Sequence, residues 1–343
     1  MTAAARARVL VVEHSAEAAA AMAAGLEAAD LAIAATATTP AGALGLAKDS
    51  NPDVVSVSLE LEDDGGVALI EELLRRRAVP VVAVSSLGVG GSDSLPFRAL
   101  AAGAADLVVR PLSGGTAGQR AFFSHLRQRI VRLASGQRAH AALRVMQAGG
   151  PSLHGRVDCV VVGSSTGGPA ALVALLNGLG ADFKPPVIVV QHIATPFIEG
   201  LIHWLNNEAP LQVSLAADGL LPKRNHVYIA PCGTDIVFSA GGLLHLQPPA
   251  HRRRAIAPSA DALFQSAAAR FRSRCAGVLL TGMGRDGAAG LLALRTGGAR
   301  TFGQDEASCT VFGMPAAAGR LGAVEAFAEP KNIGLALRNL ATS

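Results

Sequence analysis

The hydrophobic pattern of the 343-residue chain states one theme twice. From Arg8 to about Leu112, short apolar runs alternate with stretches of helical spacing. "RVLVV" is followed by an Ala-rich helix, "LAIAAT" by "PAGALGLAKD", "DVVSVSL" by "GGVALIEELLRRR", and "VPVVAVSS" by a short helical stretch from Phe97 to Ala102. "ADLVVRP" closes the set. Five strands alternating with helices predict a parallel, doubly wound α/β sheet. Helices cover both faces of such a sheet, so its strands read as unbroken Val and Leu runs rather than as apolar–polar alternation.

At Ser113 the pattern changes. "SGGTAGQ" reads as a loop, and the stretch from Gln119 then places Phe122, Leu126, Ile130 and Leu133 at helical spacing, with Arg on the other face, until "AGGPSLHG" breaks it. This is the last helix of the first domain running into a linker, and solvation accounts for its arginines without an acidic ligand. From Val157 a second alternating set begins with "CVVVG", "PVIVVQH", "LQVSL", "HVYIA", "AGVLLTG", "GARTFG" and "GAVEAF". Helices are expected to start near Pro169, Thr195, Pro258, Asp286 and Met314, and "DIVFSAGGLLHLQ" predicts a small hairpin closed on Gly241-Gly242. The expected organisation is a first domain over residues 1–118, a helical linker over 119–155 and a second α/β domain over 156–343.

Composition adds limits. Half of the residues are hydrophobic but only 4% are aromatic, so Ala, Val and Leu must fill the cores. The formal net charge of +4 favours an acidic partner only weakly, and with no groove-reading motif a nucleic-acid ligand is not expected. Cys159, Cys232, Cys275 and Cys309 are widely spread and form no C-x-x-C pair; reduced thiols are expected rather than disulfides or zinc. The first apolar run has only four residues before Glu13, too few for a signal peptide, and no run reaches the length of a membrane span. A soluble cytoplasmic protein is expected.

The candidate chemistry starts at "VVVGSSTGGPAAL". Gly163-Ser164-Ser165-Thr166-Gly167 reads G-x-S-x-G between a strand and a helix, the pattern of a turn that lifts a serine clear of the sheet near a helix N-terminus. Gly-rich turns also cradle phosphates, but this one lacks the Lys of a P-loop, and Ser165 stands where a dinucleotide site needs its second Gly. A serine nucleophile needs a base and an orienting carboxylate. His192 follows the next strand and Asp286 follows "GVLLTG", so all three fall at the same edge of one parallel sheet, where open α/β sheets bind ligands. Taken singly, His192 could be a satisfied loop histidine and Asp286 a helix N-cap. The chain order Ser, His, Asp differs from that of α/β-hydrolases.

The segments "GSSTGGPAAL", "VVQHI", "VYIAP", "SADALF", "LLTGMGRDGAAGL" and "EASCTVFGMP" together resemble the bacterial chemotaxis receptor methylesterase family, through nearly all of residues 157–343. The resemblance implies Ser165 as nucleophile, His192 as base, Asp286 as its orienting carboxylate, and the backbone N–H groups of Thr166 and Met283 as oxyanion donors. It implies hydrolysis of γ-glutamyl methyl esters on receptor helices, deamidation of receptor glutamines by the same acyl chemistry, and no metal or other cofactor. Methylated cytoplasmic helices of chemoreceptors are the implied partners, with a chemotaxis histidine kinase as a further candidate. A non-catalytic scaffold of a chemosensory pathway is the alternative reading, and a nucleotide-binding protein is a third. Ser164 fills a variable position and reads as a turn residue. Arg252, Arg253 and Arg254 could steer a Glu-rich partner, but a mobile basic loop is the preferred reading.

The first domain resembles a response-regulator receiver, with departures where that family does its chemistry. Glu13 and His14 stand where an acidic pair should hold Mg²⁺, Ser58 stands at the phosphoacceptor position, and Arg110 replaces the expected Lys. Ser85 keeps its hydroxyl role. A receiver that is not phosphorylated by the usual route is expected; Asp63 and Asp64 lie several residues past the strand end.

Overall fold

The computed structural model describes residues 6–62, 65–76, 79–86, 95–111, 115–140, 157–249 and 257–342. The chain forms two compact units, Met1–Leu143 and Arg144–Ser343.

In the first unit, β1 (Ala7–Val12), α1 (Ala16–Leu26), β2 (Leu31–Ala37), α2 (Pro40–Ser50), β3 (Val54–Ser58), α3 (Gly65–Arg76), β4 (Val81–Ser85), α4 (Leu95–Ala101), β5 (Asp106–Val109) and α5 (Gly115–His140) follow one another as strand and helix. The strands form one parallel sheet in the order β2-β1-β3-β4-β5. Ser15 and Thr39 start α1 and α2 by accepting the backbone N–H groups of Ala18 and Gly42, the short-side-chain caps that helix N-termini need. The central strands β3 and β4 are buried at every position, as a sheet covered on both faces requires. Phe122, Leu126, Ile130 and Leu133 of α5 are all buried, and Arg129 reaches Asp106 at 2.6 Å. The apolar stripe of α5 thus lies in the core of the first unit, which extends well beyond residue 118.

The second unit continues with β6 (Cys159–Ser164), α6 (Gly168–Leu179), β7 (Val187–Gln191), α7 (Ile198–Glu208), β8 (Gln212–Leu215), β9 (His226–Ile229), β10 (Asp235–Phe238), β11 (Leu244–Gln247), α8 (Ala260–Phe271), β12 (Cys275–Leu279), α9 (Ala288–Thr296), β13 (Arg300–Gln304), α10 (Met314–Arg320), β14 (Ala326–Ala328) and α11 (Pro330–Thr342). Seven strands form a parallel sheet in the order β14-β13-β12-β6-β7-β9-β8. The chain moves from β6 to β7 on one side and later returns through β12 on the other. That reversal opens a crevice at the C-terminal ends of β12, β6 and β7, where ligands bind open α/β sheets. β10 and β11 pair as the expected antiparallel hairpin. Its turn is longer than a two-residue Gly-Gly turn: Phe238 faces Leu244, and the Ser239 N–H donates to the Leu243 carbonyl across the loop.

The sequence reading did not anticipate α11, whose Ile333, Leu337 and Leu340 are buried. It packs against α6 unusually closely: a Cβ on Gly178 would lie 2.2 Å from the Lys331 carbonyl oxygen, and one on Gly334 would lie 2.3 Å from that of Leu175. Only glycine lets the two backbones approach this far. Gly178→Ala or Gly334→Ala should therefore cost about 1–3 kcal/mol, as overpacking does, read as a lowered thermal midpoint of the full chain. An unchanged midpoint in both variants would contradict the close approach.

Candidate active site

The three candidate residues follow three adjacent strands. Ser165 follows β6, His192 follows β7, and Asp286 lies in the loop between β12 and α9. In the β6–β7 register Ser164 pairs with Gln191, and the His192 N–H continues the ladder by donating to the Ser164 carbonyl at 3.0 Å. On the other side the Ser165 N–H donates to the Thr281 carbonyl at 3.0 Å. Strand pairing alone therefore brings the serine between the segments that carry the histidine and the aspartate.

Two glycines make the approach possible. A Cβ on Gly282 would lie 2.7 Å from Ser165 Cβ, so the "GMG" turn can press directly on the serine only because that position is bare. Gly167 takes φ +77°, a conformation side chains resist, and a Cβ there would strike Thr310 Oγ1 at 2.3 Å. It caps α6 and sets Ser165 and Thr166 at the head of that helix. Ser165 and Thr166 are each 8% exposed, which leaves a narrow opening over the serine, and Met283 is an exposed hydrophobic residue on the adjoining turn.

His192 and Asp286 meet directly. His192 Nε2 lies 3.0 Å from Asp286 Oδ2, with both side chains largely buried. A carboxylate accepts, so the Nε2 proton belongs in this bond, and Nδ1 is left with the lone pair of the neutral ring. Among the described residues no hydrogen bond joins Ser165 Oγ to the imidazole, a looseness common between nucleophile and base before substrate tightens the site.

Asp286 does not cap its own helix; Gly287 holds the N-cap position of α9. Its carboxylate instead sits on the N-terminus of α8, accepting from the backbone N–H groups of Ala260 at 2.7 Å and Asp261 at 3.1 Å and from the Ser259 hydroxyl at 2.8 Å. Burial alone would raise its pKa. The hydrogen bond and charge of His192, with the Ala260 and Asp261 N–H groups, outweigh that and hold it below the ordinary aspartate value. The adjacent Asp261 moves the other way: burial raises its pKa, and the Asp286 charge adds to the rise against the backbone N–H groups of Gly290, Gly287 and Ala289.

Several supports escaped the sequence reading. Ser164 is the fully buried last residue of β6 rather than a turn residue. Its hydroxyl donates to Gln191 Oε1 at 2.6 Å, while Gln191 Nε2 donates to the carbonyls of Ser165 at 2.9 Å and His192 at 3.0 Å. One buried amide thus ties the serine to the histidine. Thr281 Oγ1 donates to the Thr166 carbonyl at 3.0 Å and accepts the Val311 N–H at 2.9 Å, and the Thr281 N–H donates to Gln304 Oε1 at 2.8 Å. The only sequence signal for these residues is their position at strand ends. Arg252, Arg253 and Arg254 lie outside the described residues.

In the first unit, the residues at the sheet's C-terminal edge bond mainly with one another, although Glu13 Oε2 is buried without a hydrogen-bond partner. Glu13, 1% exposed, is ion-paired with Arg110, and His14 Nδ1 lies 3.5 Å from the same carboxylate. Ser58 Oγ donates to Glu60 Oε2 at 3.0 Å, and Glu60 Oε1 accepts from Ser85 Oγ at 3.1 Å and from the Ser86 N–H at 2.6 Å. Mg²⁺ needs several free oxygen ligands in octahedral array. A carboxylate neutralised by arginine, another bound to hydroxyls, and a serine in place of a third do not fit that ion. Among the described residues no group of three or more His, Cys, Asp or Glu could hold a metal. Asp63 and Asp64 lie outside the described residues.

The geometry can be set beside known proteins. Residues 160–337 match the family model of CheB methylesterase, and residues 9–120 match that of the response regulator receiver domain. The chain is 36% identical over 354 residues to the protein-glutamate methylesterase/protein-glutamine glutaminase 1 of Caulobacter vibrioides, covering 99% of each chain. It is 38% identical over 309 residues to the protein-glutamate methylesterase/protein-glutamine glutaminase 2 of Anaeromyxobacter dehalogenans, covering 90% of this chain and 89% of the relative. Among solved structures it is similar to the CheB methylesterase catalytic domain of Thermotoga maritima, with a TM-score of 0.51 and 31% identity, covering 54% of this chain and all of that domain.

The depressed pKa of Asp286 makes a pH prediction. A carboxylate held below its unfolded value contributes stability that is complete above about pH 4 and is lost as pH falls through the folded value. The urea midpoint of the full chain should exceed that of Asp286→Ala by a constant margin near neutrality, and the margin should shrink as pH drops below about 4. A margin independent of pH would show that Asp286 is not held ionised.

Proposed function

The chain belongs to the CheB methylesterase family, and from that premise we infer that it is a protein-glutamate methylesterase and protein-glutamine glutaminase whose chemistry is carried by Ser165, His192 and Asp286. The observation that carries the assignment of residues is the His192–Asp286 bond at the strand edge that also carries Ser165. Asp286 holds the Nε2 proton of His192, so Nδ1 is the base. It takes the Ser165 proton as Oγ attacks the γ-carbonyl carbon of the modified glutamate. The negative charge that develops on the carbonyl oxygen is received by the backbone N–H groups of Thr166 and Met283, fixed dipoles beside a helix N-terminus. The tetrahedral adduct collapses, the C–O bond to methoxide breaks, and Nδ1–H protonates the leaving group to give methanol; with a glutamine side chain the C–N bond breaks and ammonia leaves. Water, deprotonated by the same Nδ1, then attacks the acyl-enzyme, releases glutamate and returns the proton to Ser165.

The substrates are the methylated helices of chemoreceptors, and the protein acts in the cytoplasm, where those helices are exposed. No helix among the described residues is long and apolar enough to cross a membrane. A chemotaxis histidine kinase is a candidate partner of the receiver-like unit. Among the described residues of that unit no aspartate stands at the acceptor position: Ser58 takes its place and is bound to Glu60, and Arg110 is ion-paired with Glu13.

Two measurements test the reading. Ser165→Ala should abolish methanol release from methylated receptor membranes, a loss of about 10⁴-fold or more; undiminished release would overturn Ser165 as the nucleophile, and no release by the parental chain would leave the scaffold reading. Incubation of the chain with Mg²⁺ and acetyl phosphate should give no adduct on the first unit and no change in esterase rate. A phosphorylated residue there, or a jump in rate, would overturn the assignment of a receiver without a phosphoacceptor.

A further inference from the structure

The N-terminus of α8 holds the Asp286 carboxylate, and one side chain in it is placed to act through that carboxylate. Ser259 is the N-cap of α8, and its hydroxyl oxygen accepts the Ala262 N–H while its proton goes to Asp286 Oδ1 at 2.8 Å. The Ser259 N–H is itself held by Asp235 Oδ1 at 2.8 Å; Asp235 is 3% exposed and begins the β10–β11 hairpin. Asp286 therefore receives two donors on each oxygen: Ser259 Oγ and the Asp261 N–H on Oδ1, and His192 Nε2 and the Ala260 N–H on Oδ2. Three donors from one helix end fix the plane of the carboxylate, and the plane decides where Oδ2 points and hence how the imidazole stands.

We propose that Ser259, anchored by Asp235, is a positioning residue for the hydrolysis: its hydroxyl fixes the Asp286 carboxylate so that His192 presents Nδ1 to Ser165. The backbone donors alone are not equivalent. On Oδ1 the Asp261 N–H lies at 3.1 Å, whereas the hydroxyl makes the shorter bond at 2.8 Å. The hydroxyl also draws charge from Asp286. Without it more of that charge faces the imidazole, and the imidazolium form of His192 gains. The charged neighbours on the packed elements are Asp261 on α8, itself bound to the Gly290 N–H of α9, and Asp235 on β10. Neither donates a side-chain hydrogen bond that could replace the hydroxyl.

The proposal rests on the triad reading, and the experiment separates the two. Ser259→Gly removes the hydroxyl, yet glycine caps a helix nearly as well as serine, so the fold should keep its thermal midpoint. In Ser259→Gly kcat for methanol release should fall by roughly tenfold to a hundredfold, as a displaced catalytic group costs, with KM within about twofold. The acid limb of the kcat/KM profile should move to higher pH. Ser259→Thr, which keeps both the cap and the hydroxyl, should restore rate and profile. Asp286→Asn is the reference. If it is inactive while Ser259→Gly keeps full rate and the parental acid limb, Ser259 is only a helix cap and the proposal fails alone. If Asp286→Asn is fully active, the triad reading fails with it.

Discussion

The rest of the catalytic unit depends on keeping one carboxylate ionised in a largely buried place. A charge removed from water is costly unless donors replace the lost hydration. For Asp286 they come from a helix end that has N–H groups to spare, because the first turn of any α-helix leaves its donors without partners. The two deficits cancel: α8 needs acceptors at its N-terminus and Asp286 needs donors. The same carboxylate bonds His192, so the stability of the loop after β12 and the orientation of the His192 ring are one interaction seen from two sides. The sheet order serves this arrangement. Because β12 and β7 flank β6, aspartate, serine and histidine need only follow adjacent strands to share one edge of the sheet.

Close approach is the second constraint. The turns that bear Ser165 and Met283 touch through Gly282, and the Gln191 amide closes the other side by holding the carbonyls of Ser165 and His192 together. A buried amide with both donors and its acceptor engaged is rigid, and exchanging it for an apolar group would leave two carbonyl oxygens wanting. The first unit shows the converse. Its strand-end site has the topology of a receiver, but Glu13 is ion-paired with Arg110 and Ser58 is bonded to Glu60. One fold principle, side chains gathered at the C-terminal edge of a parallel sheet, yields a serine–histidine–aspartate cluster in one unit and an arginine-neutralised cluster in the other.

Much of this was legible in the sequence, for physical reasons. Buried parallel strands must be continuous apolar runs, so the strands from "RVLVV" to "GAVEAF" announced themselves, and strand ends followed by Gly-rich turns placed Ser165, His192 and Asp286 on one edge. Substituted strand ends in the first unit were legible in the same way, because Ser58 cannot do what a carboxylate does. Contacts between distant segments left no such trace. Asp286 looked like the cap of the helix that follows it, and only the fold reveals that its carboxylate accepts from the N-terminus of α8 instead. Ser164 looked like part of a turn because nothing local marks its bond to Gln191. The helix α11 was overlooked although Ile333, Leu337 and Leu340 stand at helical spacing, and its packing relies on glycines, which sequence patterns read as breakers.

The central claim is that Asp286 fixes the tautomer of His192, with the proton on Nε2 and the lone pair on Nδ1 facing the serine. Nitrogen-15 NMR of the full chain, labelled at histidine and assigned by comparison with His192→Gln, reads this directly at a pH where the ring is neutral. The account predicts that the His192 Nε2 resonance carries a proton, shifted downfield by a hydrogen bond that disappears in Asp286→Ala, and that Nδ1 resonates as an unprotonated nitrogen. A proton on Nδ1 in the neutral enzyme, or an Nε2 signal indifferent to the loss of Asp286, would contradict it.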